Sequence, residues 1–177
     1  VDCISSGGSG GGGDTVVNFA VEYPNSTIAA DGTNNSGTIT TGYATGLSAA
    51  DERERTYYNW ETSQATAQDY DFIITHELPT DFSSFDVSSF YIWTYENSST
   101  DSTITFDVYN ATDNAQCITN VDVTPSEAAG NWEKVNAGTI SSCSESAGDK
   151  LIITIKVGAS NSTGDVRIGE IEYEYNQ

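Results

Sequence analysis

The chain has 177 residues and a formal charge of −20, from 26 acidic side chains against 6 basic ones. That length suits one domain with a buried core. The charge argues against nucleic acid or an anionic bilayer as partner, since Arg53 and Arg55 in "DERERT" are neutralised by their own acidic neighbours. No run approaches the roughly 18 apolar residues of a transmembrane helix, so no transmembrane segment is expected.

Residues 1–14, "VDCISSGGSGGGGD", read as a Gly-rich arm or linker, and residues 15–177 as a single β domain. An ordered arm needs compensation for its backbone entropy, so Val1, Cys3 and Ile4 are expected to contact another copy of the chain, with Cys3 unpaired within its own subunit. The chain starts at Val1 rather than Met, which suggests a processed product or a fragment that has lost a leader. The arm also contains formal matches to G-x-S-x-G and G-x-G-x-x-G. Neither follows a strand or opens a helix, so both are products of composition.

Alternation of period two dominates the rest. "TVVNFAVEY" puts Val17, Phe19, Val21 and Tyr23 on one face before Pro24. "SGTITTGY" is a weaker strand. "LSAADERE" has the composition for a turn or two of helix. "RTYYNWET" sets Tyr57, Asn59 and Glu61 against Thr56, Tyr58 and Trp60, and Trp60 is expected in the core. "DYDFIITHEL" aligns Tyr70, Phe72, Ile74, His76 and Leu78. "SSFYIWTYE" alternates Phe90 and Ile92 against Tyr91, Trp93 and Tyr95; through the turn "NSSTDS" it reads as a hairpin with "TITFDVYN". "CITNVDV" and "NWEKVNAG" are strands around "TPSEAAG", which could make one helical turn. "DKLIITIKV" is the clearest strand, and "VRIGEIEYEY" returns from it. The phase break at Gly169 predicts a β-bulge. The strand count and turn spacing predict an all-β antiparallel sandwich, with a jelly roll of about eight strands as the leading topology.

Cys117 and Cys143 are expected to be bridged, which with the sequons Asn25, Asn34, Asn97, Asn110 and Asn161 points outside the cell. No cysteine–histidine spacing suggests zinc. No cofactor is expected beyond a structural calcium, for which turns such as "NATDN" and "STGD" offer oxygen ligands. His76, the only histidine, reads as structural, at a sheet rim. Glu170, Glu172 and Glu174 share one face, read as solvated. Tyr57, Trp60, Tyr91, Trp93 and Tyr95 are the candidates for a sugar-stacking platform.

The segments "LPTDFSSF", "FYIWTYE", "TFDVYN", "AGDKLIITIKV" and "VRIGEIEYEY", within residues 70–177, resemble uncharacterised jelly-roll modules of extracellular bacterial surface and phage fibre-like proteins. The resemblance implies a β-sandwich and an extracellular or cell-surface home, and carries over no functional residue. Two functions compete. The first expectation is a non-enzymatic structural subunit of a filament, fibre or surface layer, polymerised through the arm. The alternative is a carbohydrate-binding or adhesive module on a Gly-rich linker. Paired carboxylates could also serve glycoside hydrolysis, but 26 acids leave no pair distinguished.

Overall fold

The computed structural model describes residues 15–19, 21, 23, 26–29, 34–45, 54–126, 130–140, 143–161 and 164–177. The arm with Val1, Cys3 and Ile4, the sequon residue Asn25 and the candidate helix at 47–54, except Glu54, therefore lie outside the described residues, as do 127–129 of "TPSEAAG".

The described residues form eleven strands: β1 (Thr15–Phe19), β2 (Ser26–Ala29), β3 (Thr38–Ala44), β4 (Arg55–Glu61), β5 (Gln68–Glu77), β6 (Ser84–Glu96), β7 (Ser102–Asn110), β8 (Ala115–Asp122), β9 (Trp132–Gly138), β10 (Lys150–Ala159) and β11 (Asp165–Asn176). They form two antiparallel sheets. One runs β3-β4-β11-β6-β9, with β1 also on β11; the other runs β2-β5-β10-β7-β8. The long strands β11 and β10 lie centrally, each with a strand paired on both edges. Leu151, Ile153, Ile155 and Val157 of β10 are all at most 1% exposed, facing Val166, Ile168, Ile171 and Tyr173 of β11 across the core. Each such side chain contributes about 1.5–3 kcal/mol on burial.

Two readings of connectivity are corrected. β6 and β7 are not a hairpin: β6 pairs with β11 and β9, and β7 with β10 and β8. Residues 97–101 carry the chain from one sheet to the other. Likewise β10 and β11 belong to opposite sheets. The inward sets of β6 and β7 meet face to face, with the Phe90 and Phe106 rings 5.8 Å apart. Alternation records which side chains turn inward but not whether the next strand lies beside or opposite. Strand β2 was not foreseen, because four residues carrying one sizeable apolar side chain give no period.

The bulge at Gly169 is present. The register between β11 and β6 shifts between Ile168 and Ile171, so Gly169 and Glu170 together oppose Trp93. The Gly169 carbonyl, freed from the ladder, accepts a 2.5 Å hydrogen bond from the buried Tyr23 hydroxyl. Cys117 and Cys143 are joined by a disulfide that ties β8 to the segment before β10.

Candidate functional site

The outer face of the β3-β4-β11-β6-β9 sheet brings together the aromatic side chains Tyr57, Tyr91, Trp93, Tyr95 and Trp132 with the basic Arg55, Lys134 and Arg167. Register sets Thr40, Asn59, Arg167, Tyr95 and Trp132 side by side across five strands. The next row holds Gly42 and Tyr57, the Gly169 bulge, then Trp93 and Lys134. A third holds Glu172, Tyr91 and Asn136.

The middle of this face is packed by its own side chains. The Arg55 guanidinium lies 3.7 Å over the Trp93 ring and 5.1 Å from Trp132, and pairs with Glu170 at 2.7 Å. Arg55 is 2% exposed, Trp93 5% and Trp132 6%. The absent side chain of Gly169 makes this possible, since a Cβ there would stand 3.3 Å from both Arg55 Cδ and Trp93 Cβ. The bulge also brings Glu170 to Arg55, so backbone irregularity and ion pair form one arrangement.

Around this plug, Tyr57, Tyr91 and Tyr95 remain half-buried. Tyr57 lies against Gly42, where a Cβ would clash with its ring. The Tyr57 and Tyr95 rings each sit 5.7 Å from Trp132. Arg167 lies 4.3 Å from the Tyr95 centroid and 5.0 Å from that of Tyr57, donating to Asp165 at 2.7 Å and to Asn59 Oδ1 at 3.1 Å. Burial opposes the Arg167 charge, but Asp165, aided by Tyr57 and Tyr95, outweighs it, so its pKa is raised. Lys134 lies 4.7 Å over Tyr91 and pairs with Glu172 at 2.6 Å. Glu172 also accepts from Trp93 Nε1 at 3.3 Å.

Several sequence expectations are relocated. Trp60 is no part of a platform: it is 1% exposed, its ring lies tilted against that of Tyr70 with centroids 4.8 Å apart, and it donates to the Gln68 carbonyl in the core. Trp93 shares the outer face but is covered by Arg55. Glu172, expected to be solvated, is buried in its pairing with Lys134 and Trp93. His76 shares a 2.8 Å hydrogen bond with the Tyr173 hydroxyl, and burial lowers its pKa to about 4. Asn34, Asn97 and Asn161 are exposed. Asn110 is 0% exposed; it donates to Asp149 and accepts from the amides of Thr112 and Asp113, so its sequon cannot carry a glycan in the folded chain.

Among the described residues, the one grouping of three metal-ligating side chains is Cys117, Cys143 and Glu145, and its two sulfurs are consumed by the disulfide. In "NATDN", the Asn110 side chain closes its own turn and the Asp113 carboxylate accepts from the Asn110 amide.

Alternation places Asn59 on the face of Tyr57, whereas it leaves Trp132, Arg55, Lys134 and Arg167 unassigned to that face. The available signal was phase: Arg167 lies between inward Val166 and Ile168.

No known family model matches the chain, and no curated protein matches it. Solved structures do. The carbohydrate-binding module TmCBM61, in complex with beta-1,4-galactotriose, is similar with a TM-score of 0.51 and 15% identity, over 86% of this chain and 88% of its own. The enzymatically active domain of bacteriophage CBA120 tailspike protein 4 gives 0.49 and 15%, over 85% of this chain and 19% of that one. The family 11 carbohydrate-binding module of the cellulosomal cellulase Lic26A-Cel5E of Clostridium thermocellum gives 0.44 and 8%, over 93% and 95%. The likeness to TmCBM61 is one of fold: an all-β antiparallel sandwich of the jelly-roll kind. None of these comparisons supports a filament subunit or a homopolymer, and the arm on which that reading rested lies outside the described residues.

Proposed function

We propose that this chain is an extracellular glycan-binding module, and that the outer face of the β3-β4-β11-β6-β9 sheet is its binding surface. The observation that carries the reading is the set of half-buried Tyr57, Tyr91 and Tyr95 rings on one sheet face, interleaved with fixed polar groups. A sugar ring offers polarised C–H bonds to an aromatic face and hydroxyls to its rim. Tyrosine rings supply the first surface, and Asn59, Arg167, Lys134 and Glu172 supply donors and acceptors for the second. The disulfide suits an oxidising, extracytoplasmic setting. TmCBM61 holds its galactotriose on a similar sandwich; the case here rests on the side chains of this face.

Calorimetric titration of the chain with neutral β-glucan, β-1,4-galactan and xylan oligosaccharides tests the proposal. At least one should bind. Tyr95→Ala and Tyr57→Ala should each weaken it about fivefold to tenfold, the loss of one aromatic contact. Absence of binding across the panel, or binding that both variants leave untouched, overturns it.

A further inference from the structure

Resting on that reading, we infer that the face selects uncharged glycans and discriminates against uronate-bearing and sulfated ones. Among the described residues, each cation of the face is already closed by a carboxylate: Arg55 by Glu170 at 2.7 Å, Lys134 by Glu172 at 2.6 Å and Arg167 by Asp165 at 2.7 Å. Each cation also lies over a ring, Arg55 over Trp93, Lys134 over Tyr91 and Arg167 over Tyr95. A sugar carboxylate or sulfate would have to break a charge-assisted pair and leave Glu172 or Asp165 without its partner. Glu172 is only 5% exposed, so that loss falls on a buried charge.

The long-range field acts in the same direction. The chain carries −20, and a polyanionic glycan approaches against that charge over the Debye length of about 8 Å at physiological salt. A hydroxyl has no such conflict. It can donate to Glu172 or Asp165, or accept from Lys134 or Arg167, while each pair stays closed. The carboxylates therefore hold the cations as hydrogen-bonding groups and prevent them from acting as anion receptors.

Matched ligands provide the test: neutral β-glucan and β-1,4-galactan beside their carboxymethylated and sulfated derivatives, titrated at low and high salt. The derivatives should bind at least about tenfold more weakly, the cost of one opened charge-assisted pair. High salt should narrow that gap. Asp165→Asn and Glu172→Gln, which release Arg167 and Lys134 separately, should each raise the ratio of acidic to neutral affinity by about tenfold. Derivatives that bind the wild-type chain as tightly as the neutral polymers overturn this inference while leaving glycan binding in place. Unchanged ratios in both variants also overturn it. Failure of every polymer to bind overturns glycan binding and this inference together.

Discussion

Replacing Glu96 with glutamine should stabilise this protein at neutral pH. Glu96 ends β6 on the inward face, is 0% exposed, and neither of its carboxylate oxygens has a hydrogen-bond partner of normal geometry. Burial raises its pKa above the ordinary 4.5, against a weaker pull downward from the Ser98 backbone N–H. A folded-state pKa above the unfolded one means that the folded chain holds the proton more tightly. The contribution is fully present below pH 4.5 and is lost as pH rises through the folded value. Glutamine has the same shape and no charge, so it is spared that loss. At pH 7 Glu96→Gln should be the more stable protein, by about 1 kcal/mol or more, because an unpartnered buried charge costs more than the unpartnered neutral amide that replaces it. At pH 4 the two proteins should differ by less than about 0.5 kcal/mol, because both side chains are then neutral. Urea unfolding of both proteins at the two pH values measures the difference directly, and contributions shared by both cancel. A variant less stable than the parent at pH 7 would refute the reasoning, since it would mean that the carboxylate has a favourable partner in solution.

Trp60→Ala should cost about 3–5 kcal/mol in urea unfolding, because it empties a buried site between Tyr70 and the Gln68 carbonyl. The disulfide spans 26 residues, so Cys117→Ala with Cys143→Ala should lower stability by about 3.5 kcal/mol on the chain-entropy estimate; two free thiols in native material would contradict the pairing. His76 should titrate near pH 4 by NMR. Its neutral form is the one folding favours, so its stabilising contribution is complete above pH 6.5 and declines as pH falls toward 4. Expressed through a eukaryotic secretory pathway, the chain should carry no glycan at Asn110, by mass mapping, whatever the occupancy of the exposed Asn34, Asn97 and Asn161.

Local alternation determined a good deal by itself. It assigned Val166 and Ile168 to one phase and Ile171, Tyr173 and Tyr175 to the other, and the break between them became the Gly169–Glu170 bulge. It separated Tyr91, Trp93 and Tyr95 from Phe90 and Ile92 because side chains in a strand point to opposite faces at every step. The pairing of Cys117 with Cys143 came from cysteine count rather than alternation: the two bracket one irregular segment and Cys3 is left over in the arm. These features depend on neighbours in the chain.

The binding face depended on neighbours in space. Arg55 and Glu170 are 115 positions apart, and Arg167 and Asn59 are 108 apart. Strand order decides such encounters, and strand order follows from how two amphipathic sheets cover each other's apolar faces, which a period of two does not encode. The same reason explains the mistaken hairpins. An inward-facing β6 followed by an inward-facing β7 satisfies alternation equally well beside its neighbour or across the core. Only the need to bury Phe90 and Phe106 against each other selects the second arrangement. Once β11 lies between β4 and β6, and β9 beyond β6, Arg55 covers Trp93, Trp132 comes into reach of Tyr57, and the tyrosines are left half-buried beside Arg167 and Lys134.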